Sequence, residues 1–217
     1  MNLLGIDFEE WFHPELIQKN IKINDKKLSV VNGIDKILNL LSKRNTFATF
    51  FVVGELIEKK PELLDKIIDN GHEIAFHTMY HTRLDAENYK NQFNSELEIF
   101  KKLTNNKSKG FRAPSFSLNE NTSWAIDSLK KNGYIYDSSI APVKTRLYGV
   151  PKAEKNPYKI DSRDIKKNQN SSDFLEFPLL TTTIFGKTIM AAGGFYIRTL
   201  PLYFIKKEIS SRNKLNF

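Results

Sequence analysis

Short apolar runs and longer amphipathic stretches take turns along this chain. Leu3-Leu4-Gly5-Ile6 is an apolar run ending in acids, and it reads as a buried strand. Over residues 29–42 the apolar positions are 30, 31, 34, 37, 38, 40 and 41, a helical period. Residues 46–53 are β-branched and aromatic and predict a second buried strand. Residues 61–71 predict a helix with Pro61 in its first turn and Gly71 as its stop. Glu73-Ile74-Ala75-Phe76 predicts a third strand that delivers His77. The helical period returns over 88–103, with Leu97, Phe100 and Leu103 on one face. Lys109-Gly110-Phe111-Arg112 predicts a short strand leading to Ala113-Pro114. Residues 119–132 predict a helix capped by Asn119 and stopped by Gly133. Tyr134-Ile135-Tyr136 predicts another strand, ending at Asp137. Residues 142–172 are polar, proline-bearing and weakly periodic, an excursion outside the core. Phe174-Leu175-Glu176-Phe177 returns to strand character, residues 200–212 predict a helix, and Lys214-Leu215-Asn216-Phe217 begins a further strand.

This alternation predicts an α/β fold, a parallel sheet with helical crossovers in one domain over residues 1–217. Polar or reactive residues recur just beyond the strand ends: Asp7, His77, Arg112 and Asp137. That is where barrel-type α/β enzymes carry their sites. The excursion is too long for an ordinary connector and is expected to fold over the substrate.

Composition narrows the chemistry. The chain has 217 residues, 40% of them hydrophobic, enough for a substantial core. No stretch approaches the ~18 apolar residues of a membrane span. Met1-Asn2 leads into an apolar strand without a basic leader, so a cytoplasmic protein is expected. With no cysteine, thiol catalysis, disulfides and Cys-zinc sites are excluded. Lys and Arg number 33 against 25 acids, a net charge of +8. The lysines are scattered, and the densest group, residues 152–167, also holds Glu154, Asp161 and Asp164. No motif of a nucleic-acid module is present, so no nucleic-acid partner is expected.

Of the four histidines, His72, His77 and His81 fall within ten residues. On a helical turn, four-residue spacing puts His77 and His81 on one face, able to reach one metal ion. By itself the spacing also fits a chance pair on a solvated helix. Asp7 and Glu9 share a face if their segment is extended. Two histidines and one carboxylate leave open positions on a metal, and a second carboxylate nearby can accept a proton from water. Glu10 competes with Glu9 for the ligand role. His72 lies at the far end of its strand and reads as structural; His13 lies at the mouth of the site or on the surface.

Read together, these segments resemble the polysaccharide deacetylase family (the NodB-homology group, carbohydrate esterase family four). Asp7-Phe8-Glu9-Glu10-Trp11-Phe12-His13 is similar to its first motif, in a branch with Asp-x-Glu. Residues 71–81, from Gly71 through His77 to His81, are similar to its metal-binding motif, and Gly110-Phe111-Arg112-Ala113-Pro114-Ser115 to its Arg-x-Pro motif. Tyr136-Asp137-Ser138-Ser139, Glu176-Phe177-Pro178-Leu179 and residues 192–201 resemble later segments of the same branch. The resemblance implies an irregular (β/α)7-type barrel, incomplete at its C-terminus. It implies Asp7 as general base, Arg112 as its partner, and Glu9, His77 and His81 as ligands of a divalent metal. Zinc suits an N/O donor set, as do cobalt, nickel and iron. Trp11, Pro114, Ser115 and Asp137 are expected against the sugar, with a backbone N–H near Ser115 as an oxyanion donor.

The implied activity is hydrolysis of N-acetyl groups on an amino-sugar polysaccharide or its precursor. One departure qualifies it. The family ends in a strand bearing a histidine that protonates the leaving amine, and no histidine follows His81 here. Either the chain is truncated before that motif or another acid serves. Two other readings stay open: an amidase of the same fold acting on a small ring amide, and a catalytically impaired, metal-retaining sugar-binding protein.

Overall fold

The computed structural model of the chain describes residues 3–18, 20–22 and 28–212. Seven strands form one sheet: β1 (Gly5–Phe8), β2 (Thr49–Val52), β3 (Glu73–Phe76), β4 (Gly110–Phe111), β5 (Tyr136–Asp137), β6 (Tyr158–Lys159) and β7 (Leu175–Glu176). Their order is β1-β2-β3-β4-β5-β7-β6, and among the described residues only β6 runs antiparallel to its neighbour in this sheet. The crossovers carry α1 (Glu15–Gln18), α2 (Val30–Lys43), α3 (Gly54–Lys59), α4 (Glu62–Asp69), α5 (Tyr89–Leu103) and α6 (Trp124–Lys131). A hairpin of β8 (Thr181–Ile184) and β9 (Lys187–Met190) follows, then α7 (Gly194–Thr199) and α8 (Leu202–Arg212). The architecture is mixed α/β with a mostly parallel sheet, as the alternating pattern predicts.

The register divides the sheet into two faces. Phe8, Val52, Phe76, Phe111, Asp137 and Glu176 stand opposite one another from strand to strand, so they share one face. The first four are buried in the main core. Ile34, Leu38 and Leu41 of α2 and Phe93, Leu97 and Phe100 of α5 belong to the same core. Phe76 meets the ring of Phe100 at 4.6 Å, and Phe93 meets Phe111 at 5.4 Å. Each fully buried phenylalanine supplies roughly 1.5–3 kcal/mol of transfer free energy. The other face, with Gly5, Asp7, Thr49, Phe51 and Glu73, lines a cavity.

Three sequence expectations change. Residues 142–172 are not outside the core: Val143, Val150, Ala153, Tyr158, Ile160 and Ile165 are buried, and β6 extends the sheet. Apolar residues spaced too irregularly for a helix or strand pattern do this packing. The hairpin β8–β9 and the helix α7 form where the pattern predicts no element. The hairpin turn passes through Phe185 and Gly186, both at positive φ (47° and 75°), and phenylalanine is a poor signal for that geometry. The helix predicted over 119–132 is split into a 3-10 turn capped by Asn119 (Glu120–Thr122) and α6. The strand predicted at 214–217 lies outside the described residues.

Candidate active site

His77 follows β3 directly, and its N–H continues the ladder to the carbonyl of Val52 (3.0 Å). Its Nδ1 lies 2.7 Å from the Arg112 carbonyl oxygen, which only an N–H can satisfy. Nδ1 is therefore the protonated nitrogen, and Nε2 keeps a free lone pair. Burial pushes the His77 imidazole below its ordinary pKa, against the pull of Asp7, which favours the neutral ligand form.

His81 reaches the same place by a route the spacing does not reveal. Residues 77–81 are not a helical turn, which corrects the sequence reading. Thr78 and His81 both adopt left-handed backbone, at φ 59° and 57°. The loop is pinned from two sides. The N–H groups of Gly54 and Glu55 donate to the carbonyls of Thr78 and Met79 (3.0 and 2.9 Å). The Met79 N–H donates to the buried Glu96 carboxylate (2.9 Å), which also accepts from the Tyr89 hydroxyl (2.6 Å). A side chain at Gly54 would collide with Met79. So held, the two imidazole rings lie 5.1 Å apart at 69°.

Glu9 completes the group. One ligand atom from each of Glu9, His77 and His81 falls within 4.8 Å of the others. His81 Nε2 lies 2.7 Å from Glu9 Oε2. Glu9 Oε2 and His81 Nδ1 are buried without a hydrogen-bond partner. A buried carboxylate oxygen left without a partner is costly, and a cation between Glu9 Oε2 and His81 Nε2 removes that cost. The residues thus fit a metal ion.

Glu10 is turned elsewhere. It is 1% exposed, and its carboxylate accepts from Ser29 N (2.7 Å), Val30 N (2.8 Å) and Ser29 Oγ (2.8 Å). It holds the N-terminus of α2, where free N–H groups and the helix dipole favour an anion. The alternation of an extended segment separates Glu9 from Glu10 in this way. His13 is buried rather than at the surface. Its Nδ1 accepts from Glu10 N (3.0 Å), its Nε2 lies 2.7 Å from Glu55 Oε1, and its ring stacks on His81 at 6.0 Å. The His13 contact, opposed by burial and helped by Lys59, holds the Glu55 carboxyl at about 2. His72 sits at the far end of β3 beside Phe47 and Phe50.

Asp7 lies on the cavity face, 28% exposed, with Oδ1 accepting from Arg112 Nη1 at 2.7 Å. Arg112 is held on all sides. Its Nε donates to the Ser138 carbonyl (2.9 Å) and Nη2 to Ser138 Oγ (2.8 Å), while its guanidinium rests 3.8 Å above the Phe51 ring. A Cβ at Gly5 would stand 2.8 Å from Nη2, so glycine makes room for the arginine. Burial alone would raise the Asp7 carboxyl, but the Arg112 charge, then His77, overcomes it and holds the pKa below the ordinary aspartate value. Asp7 is thus an anion beside the candidate ligands.

The remaining predicted residues divide. Trp11 is 46% exposed and lines the cavity beside Glu9. Pro114 is buried and opens a 3-10 turn in which Ser115 and Phe116 adopt left-handed backbone (φ 50° and 51°). Strained backbone of this kind is often kept at functional sites. Asp137 corrects the expectation of a sugar contact. It is 0% exposed, on the core face of the sheet, and its carboxylate accepts from Ser139. Tyr136 and Ser138 are the residues of that segment that reach the cavity, and a serine in a polar run gives no sign of its role in fixing Arg112. The cavity measures about 1190 Å³, is open-sided, and is mostly apolar away from Asp7, Glu9 and Arg112. Among the described residues no helix is long and apolar enough to cross a membrane.

Known proteins match this chain in sequence and in fold. The polysaccharide deacetylase family profile matches residues 23–136, and a domain of unknown function (DUF3473) matches 138–216. One sheet runs through both segments, since β5 pairs with β4 and with β7. The chain is 31% identical over 118 residues to a peptidoglycan-N-acetylglucosamine deacetylase of Bacillus cereus, covering 48% of this chain and 43% of that protein. It is 27% identical over 189 residues to a peptidoglycan deacetylase of Helicobacter pylori, covering 82% and 59%. The crystal structure of a polysaccharide deacetylase homologue from Mycobacterium smegmatis superposes with a TM-score of 0.58 at 21% identity, covering 82% of this chain and 58% of that one. The chain spans 43% to 59% of the length of these two curated relatives. With a family profile that matches more than half of its residues, and the fold of a solved homologue, this chain belongs to the polysaccharide deacetylase family.

Proposed function

We propose that the chain hydrolyses N-acetyl groups on amino-sugar units of a polysaccharide or its precursor, with a divalent metal held by Glu9, His77 and His81. The observation that carries this reading is the convergence of those three residues beside an Asp7 kept ionised by Arg112. The bound metal would supply Lewis acidity for the acetyl carbonyl and the attacking water. Asp7 accepts the proton of that water as it attacks. Arg112 keeps Asp7 anionic and fixes its direction, so proton transfer needs no reorganisation of the side chain. Asp7, protonated at that stage, can return its proton to the leaving nitrogen. Trp11 offers an exposed aromatic face to a sugar ring at the cavity mouth. Relatives named for peptidoglycan and chitooligosaccharide deacetylation support an N-acetylated glycan as substrate.

The open-sided cavity favours a glycan segment over a small ring amide, which a closed pocket would enclose. Zinc-loaded protein incubated with N-acetylglucosamine oligomers and with peptidoglycan fragments should release acetate in step with free amines. Turnover of a cyclic amide without acetate release would instead establish the amidase. Zinc and oligosaccharide binding with no hydrolysis of either would leave a sugar-binding protein.

A further inference from the structure

Asp137 and Glu176 end the neighbouring strands β5 and β7 and stand opposite each other in the parallel register. Both are 0% exposed, on the face that otherwise carries Phe8, Val52, Phe76 and Phe111. Among the described residues neither forms an ion pair with a cation. Asp137 accepts from Ser139 Oγ (2.6 Å) and Ser139 N (3.0 Å); Glu176 Oε1 accepts from Ile140 N (2.9 Å). Glu176 Oε2 is buried and left without such a donor. Two desolvated carboxyls side by side cannot both be ionised. A proton on Glu176, shared with Asp137, removes one charge and gives the orphaned oxygen a partner.

The pair grips the segment of residues 138–140 that follows β5, and that segment grips the site. Ser139 Oγ accepts from Ala113 N (2.8 Å). Ser138 holds Arg112 through its carbonyl and its Oγ, and Oγ in turn donates to the Phe177 carbonyl (2.9 Å). Phe177 N closes the ring by donating to the Asp137 carbonyl (2.8 Å). Arg112 then sets Asp7. We propose that Glu176 is a positioning residue: as the proton-sharing partner of Asp137, it holds the 138–140 segment against Arg112 and so fixes Asp7. This rests on the reading of Asp7 as the base.

The titratable and charged groups facing the pair are Arg112, whose charge favours ionisation, and Tyr158 of β6, a phenol kept neutral by burial. Burial, followed by the neighbouring Asp137, raises Glu176 well above the ordinary glutamate value, and burial raises Asp137. A raised folded-state value means that the stability of this pair is fully present below about pH 4.5 and is lost as the pH rises.

The test compares the protein with Glu176→Gln, which keeps the shape and a donor but cannot ionise, and with Glu176→Ala. At neutral pH the infrared spectrum of the unsubstituted protein should contain a buried protonated-carboxyl band that Glu176→Gln lacks. Its melting midpoint should fall from pH 5 to pH 9 more steeply than that of Glu176→Gln. In acetate release, Glu176→Gln should move the alkaline limb of kcat upward by about one pH unit. Glu176→Ala should lose on the order of 10- to 100-fold in kcat with a smaller change in KM. An active protein whose carboxyl band, melting slope and pH–rate profile are all indifferent to Glu176→Gln would overturn the proposal. Absence of acetate release at any pH, with the band and slope present, would instead overturn the deacetylase reading and with it the link to Asp7.

Discussion

Two pairs of acids close strands in this sheet, and their surroundings give them opposite charge states. Asp7 and Glu9, at the end of β1, face a cavity that also receives Arg112, and Glu9 lies beside His77 and His81. Asp137 and Glu176, at the ends of β5 and β7, face Ser139, Ile140 and the aromatic core. Both settings remove water. The first supplies cationic or metal-binding partners, and Asp7 is held below its ordinary pKa. The second supplies dipoles but no ion-pairing cation, the pull of Arg112 does not offset burial, and both carboxyls are raised. Being an acid at a strand end does not make a residue catalytic; what its face of the sheet offers does.

Substitutions can test each side of that contrast. The largest effect should come from Glu9→Ala or His77→Ala, which remove a ligand from a three-residue set. Zinc content by elemental analysis should fall towards zero, and acetate release with it. Asp7→Asn should retain zinc but lose roughly 10²- to 10⁴-fold in kcat, the usual range for a general base. If Asp7→Asn lost zinc as well, Asp7 would be a ligand and the division of labour at β1 would be wrong. Glu10→Ala, one residue from Glu9, should leave zinc content intact. It should lower unfolding stability in urea by about 2 kcal/mol, because it strands the N–H groups that start α2.

The smallest effect concerns His13 and Glu55 behind His81. The Glu55 carboxyl sits at about 2, below its ordinary value, so its stabilisation is present above about pH 4.5 and is lost as pH falls towards 2. Melting midpoints of Glu55→Gln and the unsubstituted protein should therefore differ at pH 6 and converge at the acid end. Equal spacing at both pH values would show that the His13–Glu55 contact contributes nothing through charge.

Much of the frame is legible because it rests on periodicity. Helices α2 and α5 lie close to where apolar spacing puts them, and β2 and β3 fall within their β-branched and aromatic runs. The pairing of Asp7 with Glu9 follows from strand alternation. What is not legible depends on partners distant in sequence. The His77–His81 spacing suits a helix, and nothing in those residues announces left-handed backbone at Thr78 and His81. That shape is imposed by the N–H groups of Gly54 and Glu55 and by the Glu96 carboxylate, none of them near the loop in sequence, so only the fold reveals it. Asp137 misleads for a related reason: the pattern locates strand ends, but not which face the last residue takes. The packing of residues 142–172 is hidden by their polar average, since burial there falls on isolated residues such as Tyr158 and Ile165.

The anchoring of Met79 by Glu96 also fixes an order of events during synthesis. All three candidate ligands are encoded by residue 81, yet the carboxylate that pins their loop arrives with α5, and Tyr89 that orients it comes from the same helix. A nascent chain ending before residue 96 holds Glu9, His77 and His81, but of the two sides that pin their loop it has only the Gly54 and Glu55 N–H groups. On the proposed reading, the metal site is complete only once α5 has emerged and docked against the loop.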